Sequence, residues 1–203
     1  MKGFISNVTI DQPDPVYGAL RLTRPENGGK GRLQGIEFAF TSFLDLDPLP
    51  QWARDFGVQA NYTYIEGGAE QGPAVAASIP GRAPVPGVSR NTYNLVLMYE
   101  RPDFSARLAY NWRSEWVQEY AQVYDPALGA NGPFFPLVQD GRGTLDMSLN
   151  YTPVPALTFA FDVSNILGDP ITNSRTYNVQ GDRYVRQVKY LETVYSLGMR
   201  LRF

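Results

Sequence analysis

Residues 113–142 hold most of the side chains in this chain that could bind a ligand. Trp116, Tyr120, Tyr124, Phe134 and Phe135 lie between Arg113 and Arg142. Aromatic faces stack on sugar rings and on planar chelating groups, and a few cationic or polar groups then fix orientation. The pattern suits a sugar or siderophore-like ligand. The same aromatics would also serve to pack one loop on another. A second cluster, Arg175, Arg183 and Arg186 with Tyr177 and Tyr184, could hold phosphate groups, or simply form a solvated loop.

Catalytic chemistry is poorly supported. The chain has no His and no Cys, which removes most zinc sites, serine hydrolase triads, Cys nucleophiles and disulfides. "GGKGRLQG" begins like a dinucleotide fingerprint, but Gln34 stands at the third Gly position, and no GK[ST] loop occurs. Its glycines read as turn or bulge residues. Glu115 with Glu119, and Asp45 with Asp47, are carboxylate pairs at strand ends and turns, where solvated charge explains them. We expect no catalytic residue, no metal and no cofactor. With 18 basic and 20 acidic residues, no charge excess points to nucleic acid.

The elements that must position these residues are strands. A strand sends alternate side chains to opposite faces. In "TLDMSLNY", Leu145, Met147, Leu149 and Tyr151 oppose Asp146, Ser148 and Asn150. "ALTFAFDVS", "DFSARLAYNWRS", "FGVQANYTY" and "GIEFAFTS" repeat the pattern. "NTYNLVLMYE" is weaker, because Val96 and Met98 interrupt its polar face. The alternation predicts seven strands at roughly 31–44, 55–66, 88–100, 103–116, 142–152, 156–166 and 188–203. Before residue 26, "VYGALRLTR" is either a strand of its own or the upper part of one long strand ending at Phe43, with "FISNVTI" as its partner.

Connections alternate in length. "LDLDPLPQWARD", "ERPD" and "TPVPA" are turns, whereas 67–87, 117–141 and 167–187 read as long loops. This is the rhythm of an up-and-down barrel with one rim of turns and one of loops. Phe56, Tyr99, Phe104, Tyr151 and Phe203 fall at the short-turn ends of the apolar face, and Tyr62, Tyr64, Tyr93, Tyr110, Trp112 and Tyr195 at the long-loop ends. Eight residues at ~3.3 Å each, tilted ~40°, span about 20 Å, close to the apolar band between the aromatic girdles of a membrane barrel. Period two also builds soluble sandwiches and barrels, with the apolar face turned inward. Two aromatic belts and the rim asymmetry favour the membrane: an all-β, antiparallel, up-and-down transmembrane β-barrel segment of about eight strands.

In combination, "GRLQGIEFAF", "GVQANYTYIEG", "YNLVLMYERPDFSARLAYNWRSEW", "GTLDMSLNY", "LTFAFDVSNILGDP" and "YSLGMRLRF" resemble, in order, the barrel strands of TonB-dependent outer-membrane receptors. The resemblance runs from about Gly31 onward, and it implies a barrel of about 22 strands. Residues 1–203 would be its C-terminal part, without the N-terminal plug or the TonB-contacting box. It also implies a bacterial outer-membrane location and uptake of a nutrient, carbohydrate or siderophore-like. Implied partners are outer-membrane lipid and lipopolysaccharide, the TonB complex, and the barrel-assembly machinery. The last would read the closing Tyr195, Leu197, Met199, Leu201 and terminal Phe203. The alternative is a self-contained eight-stranded barrel acting as an adhesin or anchor. Its interior would need bulky paired groups, and the polar face here is mostly Ser, Thr, Asn, Ala and Gly.

Overall fold

A computed structural model describes residues 5–27, 29–45, 47–125, 130–178 and 180–203. Among the described residues are fourteen strands and two one-turn helices. In chain order they are β1 (Ile5–Asp14), β2 (Gly18–Asn27), β3 (Gly31–Phe43), α1 (Gln51–Arg54), β4 (Phe56–Glu70), α2 (Pro73–Ala76), β5 (Arg82–Ala83), β6 (Asn91–Glu100), β7 (Phe104–Arg113), β8 (Trp116–Asp125), β9 (Ala130–Gln139), β10 (Arg142–Val154), β11 (Leu157–Ser164), β12 (Ile171–Thr176), β13 (Arg183–Lys189) and β14 (Val194–Leu201).

The wall is an eight-stranded antiparallel sheet in the order β14-β11-β10-β7-β6-β4-β3, with short β5 beside the upper end of β4. Consecutive wall strands are neighbours, so the sheet is an up-and-down meander. The register assigns faces. Tyr62, Tyr93, Trp112 and Gly143 form one cross-strand row, and Val58, Leu97, Leu108, Met147, Val163 and Tyr195 another. On the opposite face Asn61, Asn94, Asn111 and Thr144 share a row. There Asn94 donates to the Asn61 side chain, Asn150 Nδ2 donates to Ser105 Oγ at 3.3 Å, and the Thr152 and Thr158 hydroxyls meet at 3.0 Å. Polar groups thus satisfy one another on one face, while the other is almost wholly apolar.

The apolar face is uncovered. Phe38 is 65% exposed and Leu197 83%, and no large side chain among the described residues is fully buried. A water-soluble sheet of this size would pack that face, since burying each Leu or Phe is worth about 1.5–3 kcal/mol. Aromatic pairs mark both ends of it. Phe56–Tyr99 and Tyr99–Phe104 lie near the short turns, with ring centroids 4.6 and 6.1 Å apart. Tyr93 meets Trp112 at 5.0 Å and Tyr110 at 5.8 Å toward the other rim. Tyr110 leans across Gly143, where a Cβ would come within 2.5 Å of its hydroxyl oxygen. On the polar face Gly57 makes room for the Phe43 ring beside Met98. Val96 and Met98 are two of the few buried apolar residues.

The seven expected wall strands are present, with shifted ends: the third, β6, opens at Asn91 rather than 88, and the last, β14, at Val194 rather than 188. Two expected loops are not loops. Segment 117–141 is largely the β8–β9 hairpin, and 167–187 contains β12 and the start of β13. Together they form a four-stranded rim sheet in the order β13-β12-β9-β8. Bulges hid these strands. Register slips between Val117 and Glu119, between Gln122 and Tyr124, and between Asn173 and Ser174 break the period-two pattern. Pro133 and Pro136 also make β9 read as non-strand. At the N-terminus, β1 and β2 form a separate hairpin that turns at 15–17. "VYGALRLTR" is therefore a strand distinct from β3, with the "ISNVTI" segment as its partner.

Candidate ligand-binding rim

The strands place the candidate side chains around one rim. Arg113 ends β7 and Trp116 opens β8, so a two-residue link brings the guanidinium over the indole at 4.6 Å from its centroid. Arg113 also donates from Nε to Ser89 Oγ at 2.8 Å and from Nη2 to the Gly87 carbonyl at 3.2 Å. The Gly87 N–H donates to the Val117 carbonyl at 2.8 Å. Segment 82–89 is thereby sewn to the base of β8. Higher up, the Tyr120 hydroxyl donates to the Pro84 carbonyl at 2.8 Å, and burial pushes its pKa up to about 12. On β9, the Phe134 N–H donates to Ser78 Oγ at 2.9 Å. Phe135 sits opposite Ala121 in the hairpin. The side chain of Tyr124 lies outside the described residues.

Arg142 stands apart from this group's contacts. It opens β10 and donates to the Asp169 carbonyl and to Asn165 Oδ1, both at 3.0 Å. Asn165 is a hub the sequence reading overlooked. Its φ is +57°, a left-handed conformation that Asn tolerates better than most residues. Its N–H donates to Asp146 Oδ1 at 2.8 Å, its Nδ2 reaches the Leu191 and Glu192 carbonyls at 3.1 and 3.3 Å, and its carbonyl accepts from Thr193 Oγ1 at 3.0 Å. One side chain thus ties the start of β10 to the entry of β14. "SNILGDP" carried a clue, since an Asn before a Gly-Asp-Pro run marks a turn.

The basic cluster is divided. Arg183 pairs with Glu115 at 3.0 Å, joining β13 to the link before β8. Tyr177 and Tyr184 face each other at 5.7 Å. Arg175 Nε and Trp116 Nε1 are buried nitrogens with no partner among the described residues.

Compared with known proteins, residues 1–166 match the family described as TonB dependent receptor-like, beta-barrel. The chain belongs to that family. No curated protein and no solved structure matches it. TonB-dependent receptors form a transporter family of the outer membrane rather than an enzyme family, and the wall sheet is a barrel portion of such a receptor. The match begins at the N-terminal hairpin, upstream of the Gly31 start read from the sequence, and ends before β12.

One further group in this TonB-dependent receptor barrel escaped the sequence reading. Arg32, Gln34, Glu66, Arg82 and Arg90 line a cavity of about 370 Å³, floored by Gly67, Gly68 and the 83–84 backbone. The residues are spread over four places in the chain, β3, β4, β5 and the residue before β6, so no local motif announces them. Strand pairing assembles most of the site, with Arg32 opposite Gly68, Gln34 opposite Glu66 and Arg82 opposite Glu70, and the Arg90 carbonyl accepts from the Ile65 N–H at 2.8 Å.

Proposed function

We propose that this chain is the C-terminal part, residues 1–203, of the barrel of a bacterial outer-membrane receptor that takes up a carbohydrate or siderophore-like nutrient. The observation that carries the reading is the sidedness of the wall: large apolar side chains stay exposed on one face between two aromatic rows, and Asn, Ser, Thr and Asp groups pair on the other. Lipid covers the first face and a wet lumen the second. The small residues of the lumen face support a wide barrel over a closed eight-stranded one.

Arg113, Trp116, Tyr120, Tyr124, Phe134, Phe135 and Arg142 are the proposed ligand contacts. Trp116 Nε1, buried and without a partner among the described residues, is a donor that a ligand hydroxyl or carboxylate would satisfy, next to a guanidinium already fixed on the same ring. Partners are lipid and lipopolysaccharide along the apolar face, the barrel-assembly machinery at Tyr195, Leu197, Met199, Leu201 and Phe203, and the TonB complex through the plug and box of the intact receptor. In that receptor, replacing Trp116 and Tyr120 by Ala together should lower nutrient uptake about tenfold at equal barrel abundance, since central aromatic anchors dominate recognition. Unchanged uptake at equal abundance removes the site assignment.

A further inference from the structure

The arginine-lined cavity lies on the lipid-facing side of the wall. β3 and β4 pair without a slip from Gly31 opposite Ala69 to Phe43 opposite Gly57. Arg32 and Gln34 therefore continue the stripe of Ile36, Phe38 and Phe40, and Glu66 continues that of Tyr62 and Tyr64. Ile36 and Phe38 are exposed and apolar. Directly beyond them the same face turns to Gln34 and Arg32. The change occurs just past the long-loop aromatic row, where Tyr62 donates to Asn91 Oδ1 at 2.7 Å. Tyr and Trp girdles sit at headgroup depth. Four residues of tilted strand carry Arg32 about 10 Å above Ile36, out of the hydrocarbon and into the headgroup layer.

Three guanidinium groups and one carboxylate line this cavity. Among the described residues, none of the three arginines is within ion-pair distance of a carboxylate. Glu70, opposite Arg82 in the register, is turned instead to the Lys30 N–H, at 3.1 Å. Three arginines against one carboxylate in one concavity leave an excess of positive charge that fits a multiply charged oxyanion, and guanidinium forks bind phosphate oxygens bidentately. Basic pockets at the edge of a membrane-spanning region take anionic headgroups for this reason.

We propose that Arg32, Arg82 and Arg90 form a binding site for the phosphate of an anionic lipid of the outer leaflet, held against the outside of the barrel rather than in its lumen. Gln34 supplies a neutral amide beside them. The site rests on the outer-membrane reading, because only a bilayer brings a lipid phosphate to this height. It also abuts the rim, since the Pro84 carbonyl that accepts from Tyr120 belongs to its floor.

The test inserts the intact receptor that contains this chain into phosphatidylethanolamine vesicles containing either phosphorylated or dephosphorylated lipid A. Native mass spectrometry after detergent extraction then counts the retained glycolipid. The phosphorylated form should be retained about tenfold more. The Arg32→Gln/Arg82→Gln/Arg90→Gln variant should lose that preference. The matching triple Lys variant should keep part of it, which separates lost charge from lost folding. Equal retention of the two lipids by the inserted wild-type chain overturns the site and leaves the barrel reading standing. Failure of the intact receptor to insert overturns both. Loss of preference in Arg175→Gln instead places the phosphate on the rim sheet and overturns the proposal. Complete displacement by equimolar inorganic phosphate marks a site for soluble anions, and overturns it as well.

Discussion

In the wall sheet the large apolar side chains stay exposed, as at Leu197, Met199 and Leu201, whereas in the rim sheet Leu137 and Val138 are each only 3% exposed and Val117 is buried with them. Both sheets are antiparallel and twisted from the same kinds of residues. They differ in what covers the apolar side chains. In the rim, β8 and β9 bury Val117, Leu137 and Val138, while β13 leaves Tyr184, Val185 and Val188 exposed. In the proposed receptor, lipid takes that covering role along the wall strands. β8 and β9 thus bury apolar side chains within the protein, whereas the wall does so at only a few positions, such as Val96, Met98 and Val163.

This contrast breaks most sharply at β10. Leu149 shares a face with Tyr151 and Met147, and Ser148 lies on the other beside Arg107 and Asp162. A charge on a lipid face near mid-bilayer costs about 2–4 kcal/mol, while lumen substitutions mainly tune the interior. Leu149→Arg should therefore deplete folded barrel from outer-membrane fractions, and Ser148→Arg should leave it near wild type, as read by heat-modifiable gel mobility. Equal depletion by the two substitutions would mean the faces are not lipid and lumen.

A smaller effect is expected where the two sheets join. Asn165→Ala removes the side-chain bonds to Arg142, Leu191 and Glu192 and puts Ala at a φ of +57°. The cost should be about 2–3 kcal/mol, confined to the rim, with the link into β14 becoming protease-sensitive in intact cells while the wall persists. Asn165→Gly restores the backbone freedom but not the bonds, so it should recover only part of the loss. Full recovery would show that backbone conformation alone matters there.

Within the rim, the smallest effect concerns pH. The Tyr120 hydroxyl titrates near 10.0 when free and near about 12 in the folded rim, where burial opposes its charge. A raised folded pKa means that its contribution is complete below about pH 10 and is lost as pH rises from there through about 12. Amide exchange in 82–89 should therefore be flat up to about pH 10, after correction for intrinsic rates, and accelerate above it. Tyr120→Phe should remove that step and loosen the segment below about pH 10 by about 1 kcal/mol, the worth of one hydrogen bond. A step that survives in Tyr120→Phe belongs to another group.

The wall was legible in the sequence because its alternation is strict and its turns are short. "TLDMSLNY" and "ALTFAFDVS" allow only one face assignment, and the structure has it. The rim was not legible because bulges at 117–119 and 122–124 shift parity within single strands, and two prolines interrupt β9. The cavity on the outer face was invisible for a different reason. Arg32 and Arg82 come together through the pairing of β3, β4 and β5, and Arg90 joins them through the Ile65 N–H bond to its carbonyl, which no spacing along the chain encodes.

Thiol accessibility at the same two neighbours in β10 tests the central claim most directly. The chain has no Cys, so Leu149→Cys and Ser148→Cys each introduce a single reporter. In intact outer membranes, the thiol at position 149 should resist a membrane-impermeant aqueous reagent and react with a lipid-dissolved maleimide. The thiol at 148 should react with the aqueous reagent through the wet lumen. A thiol at 149 shielded from both reagents would make that face a packed protein core, and would contradict the account of this sheet as a membrane barrel wall.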